Sequence, residues 1–169
     1  MTEIWDIYDS GRGRTGKTHA RREALAPGDY ILVAMVLIFN TRGEMLIQQR
    51  AEHLKWAPGK WTMTAGGAAV AGETTAAAAS RELFEELGIK ADFAGIRPHF
   101  SITYGDAFMD YFLLTRDVDL AGLKLPTEEV RAVKWVTKDE MIGMAARGDC
   151  VPYRKSFLEF CFDGGVNMM

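Results

Sequence analysis

From Tyr30 to Phe39 the chain reads YILVAMVLIF, an almost unbroken apolar run. A run that short, rich in Ile and Val, predicts a strand buried on both faces. Asn40-Thr41-Arg42-Gly43 is a turn, and Met45–Gln49 reads as the returning strand. Upstream, Ser10-Gly11-Arg12-Gly13-Arg14 separates Trp5–Tyr8 from Thr15–Thr18, which predicts a small N-terminal hairpin within about the first 28 residues. Trp56-Ala57-Pro58-Gly59-Lys60-Trp61 is a Pro-Gly loop between two Trp. Further strands are expected within Phe93–Ile102, Ala107–Leu114 and Val130–Val136, with Tyr104-Gly105-Asp106 as a hairpin turn. Thr74–Leu87 is the strongest helix: Ala fills much of its first half, and Gly88 is placed to end it in a left-handed cap. Thr137-Lys138-Asp139-Glu140 matches a capping box, so a helix should run from there to about Ala146. Pro152–Phe162 looks like a last helix with Pro152 in its first turn. Strands interleaved with few helices imply an α/β or α+β sandwich around a mixed sheet.

Composition narrows the function classes. A chain of 169 residues, 48% hydrophobic and 25% charged, is that of one ordinary globular domain spanning 1–169. A net charge of −3 gives no general attraction to nucleic acid or to an anionic membrane. The N-terminus lacks a basic-then-apolar signal pattern, and the longest apolar run is far too short to span a bilayer. A cytoplasmic location is the expectation, with Cys150 and Cys161 as free thiols. The two lack the paired spacing of a zinc site. Arg12, Arg14, Lys17, Arg21 and Arg22 bias the first residues towards positive charge. A solvated face is the plain reading, and a phosphate-steering patch the alternative. Met168-Met169 reads as a frayed tail. His19, His53 and His99 have no ligand spacing.

The chemistry concentrates in Gly67–Ile89, GAAVAGETTAAAASRELFEELGI. On a helical wheel, Glu82, Glu85 and Glu86 share an arc of about 100°. Leu83, Leu87, Phe84, Ala76 and Ala77 lie opposite and are expected to face the core. Ala78 and Ala79 lie beside the carboxylates and are expected to leave open room above them. Like charges three and four apart each cost roughly 0.2–0.5 kcal/mol. Glu85 and Glu86 also occupy the negative end of the helix dipole. A sequence that breaks local rules is often serving a site, and clustered carboxylates bind hard divalent cations. A solvated, salt-bridged acidic face is the alternative.

Gly67, Glu73, Arg81, Glu82, Leu83, Glu85, Glu86, Gly88 and Ile89 occupy every specified position of the Nudix box, which the segment therefore resembles. The chance of such a match is on the order of 10⁻⁹ per window at average residue frequencies. The resemblance implies an α/β/α sandwich with a loop–helix–loop box and Mg²⁺- or Mn²⁺-dependent hydrolysis of a small-molecule diphosphate, often linked to a nucleoside. By position it implies Glu82, Glu85, Glu86 and the Gly66 carbonyl as metal ligands. Arg81 would orient Glu82, with Glu73 as its salt-bridge partner, and Glu82 would be a candidate general base. A further Glu outside the box is implied, for which Glu128 and Glu129 are the candidates. Many relatives are dimers, which leaves a homodimer open.

Leu46-Ile47-Gln48-Gln49-Arg50, Trp56–Trp61 and Trp5-Asp6-Ile7-Tyr8-Asp9 resemble the subgroup related to isopentenyl-diphosphate isomerase. An isomerase is the rival reading, and a catalytically silent nucleotide-binding module is a third. The isomerase pattern needs a Cys shortly after Trp61-Thr62, where this chain has Met63-Thr64-Ala65-Gly66-Gly67. The silent module would be expected to have lost box carboxylates, and none is missing. Hydrolysis is therefore the favoured expectation. Arg50 and Lys60 are candidates for substrate phosphates, since cationic side chains suit oxyanions. Trp56 and Trp61 could stack on a base, though core packing is the commoner use of Trp.

Overall fold

The structure is a computed structural model that describes residues 3–21, 23–125 and 127–167, with side chains from 165 onward left undescribed. Its main sheet has seven strands in the order β5-β4-β3-β8-β7, with β6 also paired to β3 and β9 to β4. These are β3 Ile31–Phe39, β4 Met45–Arg50, β5 Trp61–Thr62, β6 Ala65–Ala68, β7 Phe100–Tyr104, β8 Ala107–Thr115 and β9 Val130–Val136. The β3–β8 pair is parallel and the other pairs are antiparallel, so the sheet is mixed as expected. A separate hairpin joins β1 Ile4–Tyr8 to β2 Arg14–Ala20. Among the described residues the α-helices are α1 Thr75–Leu87, α2 Lys138–Ala146 and α3 Lys155–Asn167, and a single 3-10 turn covers Leu120–Gly122.

The apolar run of β3 sits at the centre with its side chains divided between two cores. Leu32, Ala34, Val36 and Ile38 join Leu83 and Leu87 of α1. Leu37 and Phe39 join Met141 and Met144 of α2 and Leu158 and Cys161 of α3. This period-two division is why the strand reads as continuously hydrophobic. On one edge, β3 carries β6 along Val33–Val36 but meets β4 at Phe39↔Met45. Thr64 stitches the fork: its hydroxyl donates to the Leu46 carbonyl at 2.5 Å and accepts from the Ile38 amide at 2.9 Å.

Local signals explain the element ends. Thr74 caps α1, its side chain accepting from the Ala77 amide, and Gly88 closes the helix at φ 69°. The Thr137–Glu140 capping box is fully formed. Two boundaries differ from expectation. The last helix starts at Lys155, and Pro152 lies before it. The proline fixes its own φ, but Tyr153 and Arg154 intervene, and the helix begins only where the Arg154 carbonyl accepts from Phe157 and Leu158. Within Phe93–Ile102, where a strand is expected, one forms only from Phe100: Pro98 has no amide to donate, and the Leu113 amide of β8 bonds the His99 ring at 3.1 Å instead of backbone. Met168-Met169 and Arg22 lie outside the described residues.

Candidate active site

The acidic side of α1 does not face away from the core. Thr75, Ala78, Ala79, Leu83, Glu86 and Leu87 are the buried residues of the helix, and Glu86 is only 5% exposed. Phe84, assigned by the wheel to the core, is 50% exposed with the Lys90 ammonium over its ring, and Ala76 and Ala77 are not buried either. Ala78 and Ala79 are fully buried, so they leave no open room above the carboxylates. They do something else. Side chains this small let α1 lie close to β3 and β6, and two of the three carboxylates are carried into the gap between helix and sheet.

Arg81 organises that gap. Its Nε and Nη2 donate to the two oxygens of Glu73, each at 2.9 Å. Its Nη1 donates to Glu82 at 2.7 Å and to Glu85 at 3.1 Å, and Nη2 also reaches the Ala68 carbonyl at 3.1 Å. The fork geometry of a guanidinium suits this bidentate hold. Glu73 is fixed from its other side by the Val70 amide at 3.0 Å. Burial works to raise its carboxyl, but Arg81 and the Val70 amide outweigh burial and hold it below the usual range. The hydrogen bonds that Arg81 donates to Glu73, working against burial, raise Arg81 itself.

Glu82 and Glu86 occupy a different electrostatic environment. Burial, with the neighbouring Glu85 and Glu129 charges, raises the Glu82 carboxyl in spite of Arg81. Burial and the Glu82 charge push Glu86 up to about 8, against hydrogen bonds from Gln48 at 2.7 Å and the Gly66 amide at 3.2 Å. Gly67 is required here by space: a Cβ at that position would overlap the Glu82 carboxylate. Thr127 fastens the strand entrance to the end of α1, its hydroxyl donating to the Glu86 carbonyl at 3.3 Å. That entrance carries Glu129, whose charge acts on both Glu82 and Glu86.

Gathered under one helix are thus Glu73, Arg81, Glu82, Glu85, Glu86 and the Gly66-Gly67 backbone. A profile of the NUDIX domain matches residues 29–159. The chain belongs to the Nudix family. It is 44% identical over 151 residues to a Listeria monocytogenes protein named as an uncharacterized Nudix hydrolase, with 89% of each chain covered. It is 37% identical over 104 residues to an isopentenyl-diphosphate Delta-isomerase of Pectobacterium atrosepticum, covering 62% of this chain and 55% of that one. Its fold superimposes on the crystal structure of DR0079 from Deinococcus radiodurans with a TM-score of 0.77 at 21% identity, covering 94% and 99% of the two chains. This Nudix protein is accordingly an enzyme of the hydrolase kind, acting in general on a pyrophosphate linkage.

The remaining candidates divide. Arg50 follows Gln48 by one strand repeat, and its Nε donates to the Trp56 carbonyl at 3.0 Å while its guanidinium lies 5.0 Å from the Trp56 ring centre. Trp56 is 59% exposed and is not a core Trp, whereas Trp61 is half-buried, packs against the α2–α3 core and carries the Lys134 ammonium over its ring. Lys60 is turned to the Gly148 carbonyl at 2.5 Å, away from the carboxylates of α1. Gln48 and Thr64 were not singled out from the sequence. Gln48 was legible only as the inward position of a strand, and a polar residue there is a signal of a buried partner.

Arg12, Arg14, Lys17 and Arg21 of the basic N-terminus are exposed, as a solvated face would be, but two of them also reach buried carboxylates. Arg12 pairs with buried Asp110, and Arg14 pairs with buried Asp6 at 2.6 Å. Among the described residues no helix is long and apolar enough to cross a membrane.

Proposed function

We propose that this protein hydrolyses a diphosphate linkage in a small molecule, a nucleoside-linked diphosphate being the leading class, with Mg²⁺ or Mn²⁺ as cofactor. We further propose that residues 1–169 work as one unit in doing so. The observation that carries this reading is the cluster of buried carboxyl groups under α1. Glu82 raises Glu86, Glu129 adds to both, and Arg81 is the cation bonded to Glu82. Carboxylates held so close inside a fold fit a hard divalent cation better than they fit one another. Among the described residues no three acidic, His or Cys side chains already converge on one point: Glu82 and Glu85 lean on Arg81, and Glu86 on Gln48 and Gly66.

Glu82, Glu85, Glu86 and the Gly66 carbonyl would hold the ion, with Glu129 at the edge of the set. When bound, a divalent ion supplies charge neutralisation and Lewis-acid polarisation at the phosphoryl oxygens. Burial raises the Glu82 carboxyl above the usual carboxylate range, which makes it a stronger proton acceptor than an ordinary Glu. Water attacks phosphorus, Glu82 accepts the proton, the bridging P–O bond breaks, and the leaving phosphate carries off the electron pair. Arg81, anchored by Glu73, keeps the Glu82 carboxylate aimed while that proton moves. Arg50, at the end of β4, and Trp56, in the loop that follows, are candidates to meet the rest of the substrate. Lys60 is the weaker candidate, since its ammonium is engaged by Gly148.

The test is phosphate and pyrophosphate release from a panel of nucleotide and prenyl diphosphates, with Mg²⁺, with Mn²⁺ and with chelator. Metal-dependent release that Glu86→Gln abolishes is the expected result. A thermal shift with metal and nucleotide, but no release from any substrate, would instead support a binding module.

A further inference from the structure

The N-terminal hairpin lies outside the segment that the family profile covers, which begins at residue 29. Yet it is bonded to the loop that leads into α1. The Ala71 amide donates to the Ile4 carbonyl at 2.7 Å, and the Gly72 amide donates to Asp6 Oδ2 at 2.7 Å. Gly72 is the residue before Glu73, whose carboxylate holds Arg81. A second fastening lies on the other side of Glu73. The hairpin turn projects Arg12 onto Asp110 of β8, and the same carboxylate accepts from Thr75 Oγ1 at 2.6 Å and Ser101 Oγ at 2.5 Å. Thr75 is the first residue of α1.

Both fastenings have the marks of a built contact. Asp6 and Asp110 are buried, and each is held below the usual carboxylate range, against burial, by the partners just named and by Arg14 for Asp6. Arg12 adopts φ 65°, a backbone region that disfavours a residue with a Cβ. Asp9 holds that turn by accepting from the Gly11 and Gly13 amides at 2.9 and 2.8 Å. A surface arginine needing only solvent has no reason to be held so.

We propose that the hairpin is a strap that sets the catalytic loop, with Asp6 and Arg12 as positioning residues for Glu73, Arg81 and hence Glu82. Its catalytic consequence rests on the diphosphate-hydrolase reading; its structural consequence does not. Asp6 acts through the Gly72 amide, and Arg12 through Asp110 and Thr75. Neither touches substrate.

The experiment compares Asp6→Ala, Asp6→Asn, Arg12→Gly and Arg21→Ala in the full chain. Three readouts are taken: exchange of the Gly72 amide, exchange of the Arg81 Nε–H by nitrogen-15 NMR, and steady-state kinetics on whichever diphosphate the panel identifies. Asp6→Ala should speed both exchanges and lower kcat about tenfold or more with KM little changed, since a misplacement of about 1 Å can cost on the order of 10²-fold. Asp6→Asn should restore most of this, because its side-chain carbonyl still accepts from Gly72. Arg12→Gly keeps the turn conformation while deleting the guanidinium, so it should fold and show the same loss even if Asp6→Ala does not fold. Arg21→Ala breaks the Arg21–Glu3 pair of the same hairpin, 2.8 Å long, and should leave all three readouts unchanged. Exchange and kcat in Asp6→Ala and Arg12→Gly that match Arg21→Ala would overturn the proposal and leave the hairpin a packing element. A wild type without turnover on any substrate would overturn the hydrolase reading alone, and the exchange rates would still decide this one.

Discussion

Glu86 carries the sharpest consequence of burying a carboxylate beside its like. Its carboxyl stands at about 8 in the fold, against about 4.3 for an unperturbed Glu in the unfolded chain. Between those values the folded state binds more protons than the unfolded one, so stability falls as pH rises through the window. Asp6, Glu73 and Asp110 are shifted the other way, and their contribution is lost only as pH falls towards and below the ordinary carboxylate range. Thermal melts in chelator should therefore show Tm declining from about pH 5 to about pH 8. Glu86→Gln should flatten most of that decline, and a flat wild-type profile would mean that Glu86 is ionised like its neighbours. Gly67 makes the companion case. Gly67→Ala sets a methyl group against the Glu82 carboxylate. It should reduce turnover far more than it reduces Tm, because a displaced Glu82 loses the hold of Arg81 while the helix stays packed.

At the scale of the element, α1 shows what a helical wheel can and cannot say. The helix and its end at Gly88 were legible to within a residue or two, since capping chemistry is local. So were the hairpin, the buried strand and the capping box of α2. The side of α1 that faces the sheet was not, because the wheel treats every charge as a solvent-facing position. Here Arg81 compensates Glu82 within the gap, and only Glu85, 58% exposed, behaves as the wheel assumes. A signal was available: Ala78 and Ala79 share the arc of the carboxylates, and Gly66-Gly67 supplies an equally small surface on β6. Small residues facing small residues mean a close approach rather than an open space. Ala78→Leu tests this directly. Its Cβ is fully buried, so the added carbons should cost about 1–3 kcal/mol by overpacking. Turnover should fall as well, as α1 is pushed off β6. Unchanged stability and turnover would mean that the gap has room after all.

Across the whole molecule the sheet separates two layers with different duties. The α1 layer holds the carboxylates, and the α2–α3 layer holds both thiols. The sequence placed Cys150 far from the box, and in the fold its backbone bridges to Trp61 of β5. Its side chain nevertheless points into the other layer, 3.9 Å from the Met141 sulfur. Long-range adjacency of this kind has no local signal, which is why it could not be read from spacing. It also bears on the isomerase relatives. A thiol that exchanges protons with a substrate bound at Glu82 would have to stand on the α1 side of the sheet. Burial pushes Cys150 up to about 11 and Cys161 up to about 12, so both stay protonated and unreactive at neutral pH. Iodoacetamide at about pH 8 should therefore label neither cysteine in the folded protein, and both in denaturant. Replacing both with Ala should cost about 1 kcal/mol each, the scale of losing one buried methyl-sized group, and leave metal-dependent phosphate release unchanged. Rapid labelling of the native protein, or turnover lost without loss of stability, would return a thiol to the chemistry and revive the isomerase reading.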